Sequence, residues 1–318
     1  MKKTLNILLV ILTITGQIVS PRQLLAQGKN TGQISISGAF ALYPMVVKWA
    51  DEYKKINPSV RFDISAGGAG KGISDVLNSM VEIGMVSREI YPEEIKKGAF
   101  PVAVTKDAVV PVISEQNPLL NDILKTGLKK DAGNNIWITG KYVTWSQAFG
   151  IKSTIPVHVY TRSDACGAAE MWAKYYGKKQ EDLLGVGVFG DPGLAQAVRK
   201  DPLGLGYNNL GYAYDATTKQ QIKGIRVVPL DLNNNGKIDP DEDFYGSMND
   251  LIAAIASGKY PSPPARDLYI VTKGNPSGNK VLTDFIRWVL TDGQKYVNEA
   301  GYITLPKDKI AAELQKLK

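Results

Sequence analysis

The 318-residue chain has one cysteine and one histidine. A lone Cys166 excludes an internal disulfide, so stability has to come from core burial. With His158 the only imidazole, a zinc site built from histidine and cysteine is excluded as well. His158 falls in the alternating run Ile155-Pro-Val-His-Val-Tyr160, which places it on a strand face, and any Ser-His-Asp triad would have to draw on it. Basic runs interleaved with aromatics are missing, which argues against a nucleic-acid partner. Apolar runs of membrane-spanning length are missing too. The one candidate, Leu5 to Val19, is diluted by Thr13, Thr15, Gly16 and Gln17 and is followed by Pro21-Arg22.

That stretch reads as an export leader. Lys2 and Lys3 form a basic start, the apolar run follows, and the small Ala26 stands just ahead of Gln27-Gly28-Lys29-Asn30. This order predicts a cleaved signal peptide over residues 1–26 and a mature protein in the periplasm. A lipoprotein anchor would need a cysteine at this point, and none is there. The leader removes Lys2, Lys3 and Arg22 but no acid, so the net charge of +7 falls to +4 and the overall pI of 9.1 overstates the basicity of the mature chain. A mild positive balance suits capture of small anions. The mature length is ample for two compact domains, and the chain is expected to be monomeric.

From Gln33 onward strand-like and helix-like segments alternate. Strands are expected at 34–37, 60–65, 83–87, 108–113, 155–160, 186–189, 205–207, 225–230 and 267–272. Helices are expected at 43–55, 73–81, from Cys166 through Tyr175, from Gly190, and at 248–256, 280–290 and 293–300. Glycine turns follow the first two strands: Gly38-Ala39-Phe40-Ala41 and Gly67-Gly68-Ala69-Gly70-Lys71-Gly72. Parallel α/β sheets place ligands at such carboxyl ends of strands. The segment Gly38 to Tyr43 and the segment Arg162-Ser-Asp-Ala-Cys166-Gly167-Ala168-Ala169 each lead from a strand into a helix. Free first-turn N–H groups and the helix dipole favour an anion there. Arg162 can add a charge-assisted fork, with Asp164 holding the guanidinium in place. Cys166 reads as a residue of the ligand loop rather than a nucleophile, because the only base on offer is His158.

Several of these segments together resemble the phosphate-binding proteins that serve ABC importers. The matching elements are Ser37-Gly-Ala39 with Tyr43-Pro44 and Trp49, Ile83-Gly-Met-Val-Ser87-Arg88, Ile136 to Trp145, Arg162 to Ala168, and Gly293-Gln294 through Gly301-Tyr302-Ile-Thr-Leu305. They run in order along nearly all of the mature chain. The resemblance implies an α/β, two-lobed type II periplasmic binding protein, each lobe a sheet flanked by helices, with crossing strands near residues 107–113 and 265–272. Lobe one would comprise 27–110 plus 265–318, and lobe two 111–264. It implies an anion pocket at Ala41, Leu42, Tyr43, Gly68, Ala69, Ser87, Arg88, Arg162, Cys166, Gly167 and Ala168. It also implies phosphate or a related oxyanion as ligand, an inner-membrane ABC permease as partner, and no enzymatic activity. The departures concern the ligand. The family uses side-chain hydroxyls, and the matching positions here are Leu42, Ala69, Cys166 and Ala168. Arg88 stands where the family has an acid, which favours a fully ionised anion.

A second motif is independent of that pocket. Asp231-Leu-Asn233-Asn-Asn235-Gly236-Lys237-Ile238-Asp239-Pro-Asp241-Glu242 satisfies the twelve-residue calcium-loop pattern. Asp231, Asn233, Asn235, the Lys237 carbonyl, Asp239 and Glu242 fall at the ligating places, with Gly236 at the sharp turn. The loop is entered from a strand and has no paired second loop, so a structural Ca2+ is expected, not a sensor. Two other readings are compatible with these residues: an exported hydrolase using Cys166 or Ser163, and a calcium-stiffened scaffold or binding module outside transport.

Overall fold

The computed structural model describes residues 32–318; the expected leader lies outside the described residues. The first strands are short: β1 (Gly32–Gly38), β2 (Val60–Ala66) and the fully buried β3 (Ile83–Val86). Between them run α1 (Tyr43–Ile56) and α2 (Ala69–Leu77). α1 buries Met45, Val46, Trp49, Ala50 and Tyr53, a spacing of three and four that keeps one face on the sheet. Pro44 sits in its first turn, and Lys54 and Lys55 complement the dipole in its last. α2 begins four residues earlier than its apolar pattern implies. Gly70 and Gly72 join the helix because both are closely packed: a Cβ at Gly72 would lie 2.9 Å from the Gly38 Cα of β1, and one at Gly70 2.7 Å from the Ala165 Cβ.

After α3 (Pro92–Lys96) comes β4 (Ala99–Ser114), a long strand where only 108–113 was expected. Its buried Val- and Ala-rich run belongs to a strand covered on both faces. The middle of the chain contributes α4 (Leu120–Thr126), β5 (Leu128–Lys129), α5 (Lys130–Trp137), α6 (Trp145–Phe149), β6 (His158–Arg162), α7 (Gly167–Tyr175), β7 (Val186–Val188), α8 (Gly190–Lys200) and β8 (Gly204–Asn209). Next come β9 (Ile225–Val227), β10 (Leu230–Asp231) and α9 (Met248–Ala256). Pro229 separates β9 from β10, which were expected as one strand. The chain closes with β11 (Ala265–Lys273), α10 (Lys280–Leu290) and α11 (Lys307–Lys316). The helix expected at 293–300 is only a short 3-10 turn, Asp292–Tyr296, and α11 carries no strong apolar stripe in the sequence.

The main sheet runs β2-β1-β3-β11-β4-β8-β6-β7, with β9 also on β4. β1, β2 and β3 are parallel, as are β6, β7 and β8, whereas β11 runs antiparallel to both β3 and β4. β4 is shared along its length. Residues 99–108 pair with β11, and residues 109–113 pair with β8. The buried apolar residues form two clusters. One spans Ile34 to Val104 and Leu268 to Leu317; the other runs from Ala108 to Ala265 and adds Ile303. Two cores on one continuous pair of strands make a two-lobed α/β molecule, with the crossing at the register pair Asp107–Arg266. Among the described residues no helix is long and apolar enough to cross a membrane.

Candidate functional site

The site is built where β1, β3 and β6 end and α2 and α7 begin. Cys166 caps α7: its Sγ accepts from Ala169 N at 3.4 Å, and its own N–H donates to Gln180 Oε1 at 3.1 Å. Gln180 Nε2 in turn donates to the Asp164 carbonyl at 2.7 Å, which fixes the loop before the helix. Gly70 N donates to the Ala165 carbonyl at 3.0 Å, and Gly68 lies against Ala165 and Asp164. Gly167 lies directly on Ser87, and a Cβ there would stand 2.5 Å from the Ser87 carbonyl carbon. The structure therefore brings Gly68, Ala69, Ser87, Arg162, Cys166, Gly167 and Ala168 to one place. There the N-terminal turn of one lobe's helix faces the other lobe across a closed cleft. First-turn N–H groups of α2 and α7 lie here; Gly70 N and Ala169 N are bonded to the Ala165 carbonyl and to Cys166 Sγ.

Arg162 is the buried cation of the site, its side chain 1% exposed. Nε and Nη2 donate to the two oxygens of Asp164 at 2.8 and 2.6 Å, and Nη1 donates to Asp191 Oδ2 at 2.6 Å. The orienting role expected of Asp164 is present, and Asp191 adds a second carboxylate. A network continues inward. Asn209 donates to Asp191 Oδ1 at 2.7 Å, Arg266 Nη2 donates to Asn209 Oδ1, and Arg266 Nε donates to the Ser87 carbonyl at 3.1 Å. Arg266 Nη1 is 3.4 Å from Asp107 Oδ2. Asp107 is buried, and desolvation, only partly offset by Arg266, raises its carboxyl to about 6.

Three expected ligands sit differently. The N–H groups of Leu42 and Tyr43 donate back to the Ala39 carbonyl at 3.1 and 3.2 Å, closing a tight turn, and the Ala41 carbonyl accepts from Tyr302 Oη at 2.8 Å. That loop presents Phe40, whose ring centroid is 5.6 Å from the Arg162 guanidinium carbon and 5.9 Å from the Phe189 ring. Arg88, also expected in the pocket, is engaged by a neighbouring side chain. Its guanidinium is held by Glu94, with bonds of 2.9 and 2.7 Å, because a carboxylate on α3 gives a fully bidentate partner. Asp191, Gln180, Arg266 and Phe40 escaped the sequence reading; only Asp191 carried a hint, in the strand-to-helix punctuation Gly190-Asp-Pro-Gly.

Catalytic chemistry has little to work with. Burial pushes the Cys166 thiol up to about 12, more than Arg162 lowers it, and the side chain is 6% exposed. His158 opens β6 and pairs with Asp201 at 2.7 Å, a strand length of roughly 13 Å from the loop that follows Arg162.

Around residues 231–242 the backbone wraps two buried carboxylates. Asp231 accepts from Asn235 N at 3.2 Å and Gly236 N at 2.7 Å, and Glu242 accepts from Leu232 N at 2.9 Å and Asn233 N at 3.0 Å. Gly236 has φ 84, the left-handed turn the motif needs. Lys237 Nζ lies 2.7 Å from Asp239 and, as the largest cause, lowers that carboxyl to about 2. Among the described residues no three acidic, His or Cys side chains come together as a metal cluster. A cation at this loop would rely on carboxamide and carbonyl oxygens beside Asp231 and Glu242, and would draw Asp239 from Lys237.

A family model described as a PBP superfamily domain matches residues 25–293. Protein SphX of Synechococcus elongatus is 24% identical over 292 residues, covering 90% of this chain and 81% of the relative. The phosphate-binding protein PstS of Bacillus subtilis is 27% identical over 291 residues, covering 90% and 85%. A Clostridium perfringens chain solved with bound phosphate superimposes with a TM-score of 0.69 at 22% identity, covering 86% of this chain and 100% of its own. An ABC-type phosphate transport receptor from Vibrio cholerae gives 0.61 at 19% identity, with the same coverage. The family match covers well over half of the chain, including the strand-to-helix loops at Gly68, Ser87 and Cys166, so the chain belongs to the PBP superfamily.

Proposed function

We propose that this chain is an extracytoplasmic solute-binding protein that captures phosphate or a related oxyanion in its interlobe cleft for an ABC importer. The observation that carries the reading is the meeting of the α7 N-terminus with Ser87 and the α2 loop beside buried Arg162. Backbone N–H groups at helix starts bind oxyanions without help from hydroxyl side chains, so loss of hydroxyls at Leu42, Ala69, Cys166 and Ala168 is compatible with the role. The relatives named phosphate-binding proteins point to the same ligand class. Delivery to an inner-membrane permease, work as a monomer and export by a cleaved leader complete the reading. Cys166 and Ser163 do no chemistry in it, since a buried thiol near 12 and a distant His158 leave neither a nucleophile nor a base. Calorimetric titration of the mature chain with phosphate, sulfate, molybdate and arsenate tests it. Saturable binding of at least one anion without product formation is expected; no binding of any, or turnover of a chromogenic ester, refutes it.

The loop at 231–242 is proposed to hold a structural Ca2+ through Asp231, Asn233, Asn235, the Lys237 carbonyl, Asp239 and Glu242. Two buried carboxylates wrapped by backbone N–H groups support this reading.

A further inference from the structure

Helix α7 touches the opposite lobe at two levels. Its first turn lies on Ser87. One and two turns further on, Glu170 and Lys174 reach the segment that follows β3. Tyr91 Oη donates to Glu170, Arg88 Nε is 3.7 Å from the same carboxylate, and Lys174 Nζ donates to Glu89 at 2.7 Å. The receiving segment is braced from within. Glu94 takes two bonds from Arg88 and one from Tyr91 N at 2.8 Å, while the Tyr91 ring lies 4.1 Å from the Arg88 guanidinium carbon. Arg88, Tyr91, Glu94 and Glu170 thus form one cluster crossing from lobe to lobe.

We propose that this cluster is an interlobe clasp: Arg88, Tyr91 and Glu170 are positioning residues that hold the α7 N-terminus against Ser87 and so set how long a bound anion is retained. The inference rests on the oxyanion reading for its ligand, but the clasp is defined by lobe closure. Every contact from Glu170 or Lys174 to residues 88–91 spans the two lobes, so each exists only while the lobes are together. Their weights differ. The side chains of Lys174 and Glu89 are 43% and 71% exposed, where a pair is screened and contributes little. Those of Arg88 and Glu170 are 8% and 23% exposed, and the carboxylate accepts from the Tyr91 hydroxyl with the Arg88 cation beside it. Glu170 lies on the same helix as Gly167 and Ala168, so releasing it frees the end that carries the anion donors. Contacts that hold the closed form together act mainly on dissociation.

The test uses the full mature chain with inorganic phosphate in stopped-flow binding, and spin labels at Lys97→Cys and Lys200→Cys to read lobe separation with and without ligand. Glu170→Gln should raise the dissociation rate about tenfold or more, the scale for losing charged hydrogen bonds. Association should stay within twofold. Tyr91→Phe, which keeps the ring over Arg88, should act in the same direction, while Lys174→Gln should leave both rates within twofold. Without ligand, Glu170→Gln should shift the label distances toward the open form. Unchanged dissociation and distances in both Glu170→Gln and Tyr91→Phe would overturn the clasp. So would an affinity loss in Arg88→Gln without one in Glu170→Gln, since Arg88 would then contact the anion directly. A wild-type chain that binds no anion refutes the oxyanion reading alone; the ligand-free distances still decide the clasp.

Discussion

Gly167 offers a substitution whose sign follows from one contact. A Cβ at this position would overlap the carbonyl oxygen and Oγ of Ser87 and stand 2.5 Å from the carbonyl carbon. The obstacle is backbone of the opposite lobe and cannot swing aside. Gly167 is the first residue of α7, where alanine is the better helix former, so the helix itself gains slightly. The whole penalty therefore falls on the lobe-to-lobe contact. Overpacking of this kind costs about 1–3 kcal/mol, and opening the cleft relieves it. Gly167→Ala should weaken anion binding by about 5- to 140-fold while the melting temperature of the ligand-free protein stays within a degree or two of wild type. Calorimetry with phosphate and a parallel thermal melt give both numbers. An affinity within twofold of wild type would show that the contact with Ser87 is not part of the bound state. A large drop in melting temperature with unchanged affinity would place the strain in lobe two's own fold.

Arg162→Ala should abolish measurable anion binding and also destabilise the protein by about 3–5 kcal/mol, because Asp164 and Asp191 lose their shared cation in a buried site; a melt with wild-type Tm would refute the pairing. Asp107 gives a pH signature. Its carboxyl is raised in the folded state to about 6, so the folded protein holds a proton that the unfolded chain releases near 4. Stability should fall as pH rises between about 4 and 6 and then level off, and Asp107→Asn should remove that slope in chemical denaturation. Calcium should raise the melting temperature far more than magnesium, and Glu242→Gln should cancel most of the rise; chelation without effect would make residues 231–242 a plain turn. Mass spectrometry of exported protein should find a mature start near Gln27, and an intact N-terminus in the membrane fraction would refute the leader.

Local periodicity and punctuation determined much of this protein before any coordinates. The spacing of Met45, Val46, Trp49 and Tyr53 defines α1, the run from Met248 to Ala256 defines α9, and Cys166-Gly167-Ala168 marks the start of α7, since each depends on neighbours within a turn or two. The loops that meet in the cleft were legible for the same reason: glycine after a strand and before a helix is a local signal. What only the tertiary structure decided was partnership across distance. Whether Arg88 faced the anion or Glu94 depended on where α3 turned, and that turn also delivers Arg88 and Tyr91 to Glu170, 79 positions from Tyr91. Asp191 and Arg266 look like ordinary helix-start and strand residues in the sequence. They join Arg162 and Ser87 only because β4 and β11 carry both lobes and bring Asp107 opposite Arg266. A buried charge selects its partner by proximity and desolvation, and neither is encoded in local spacing.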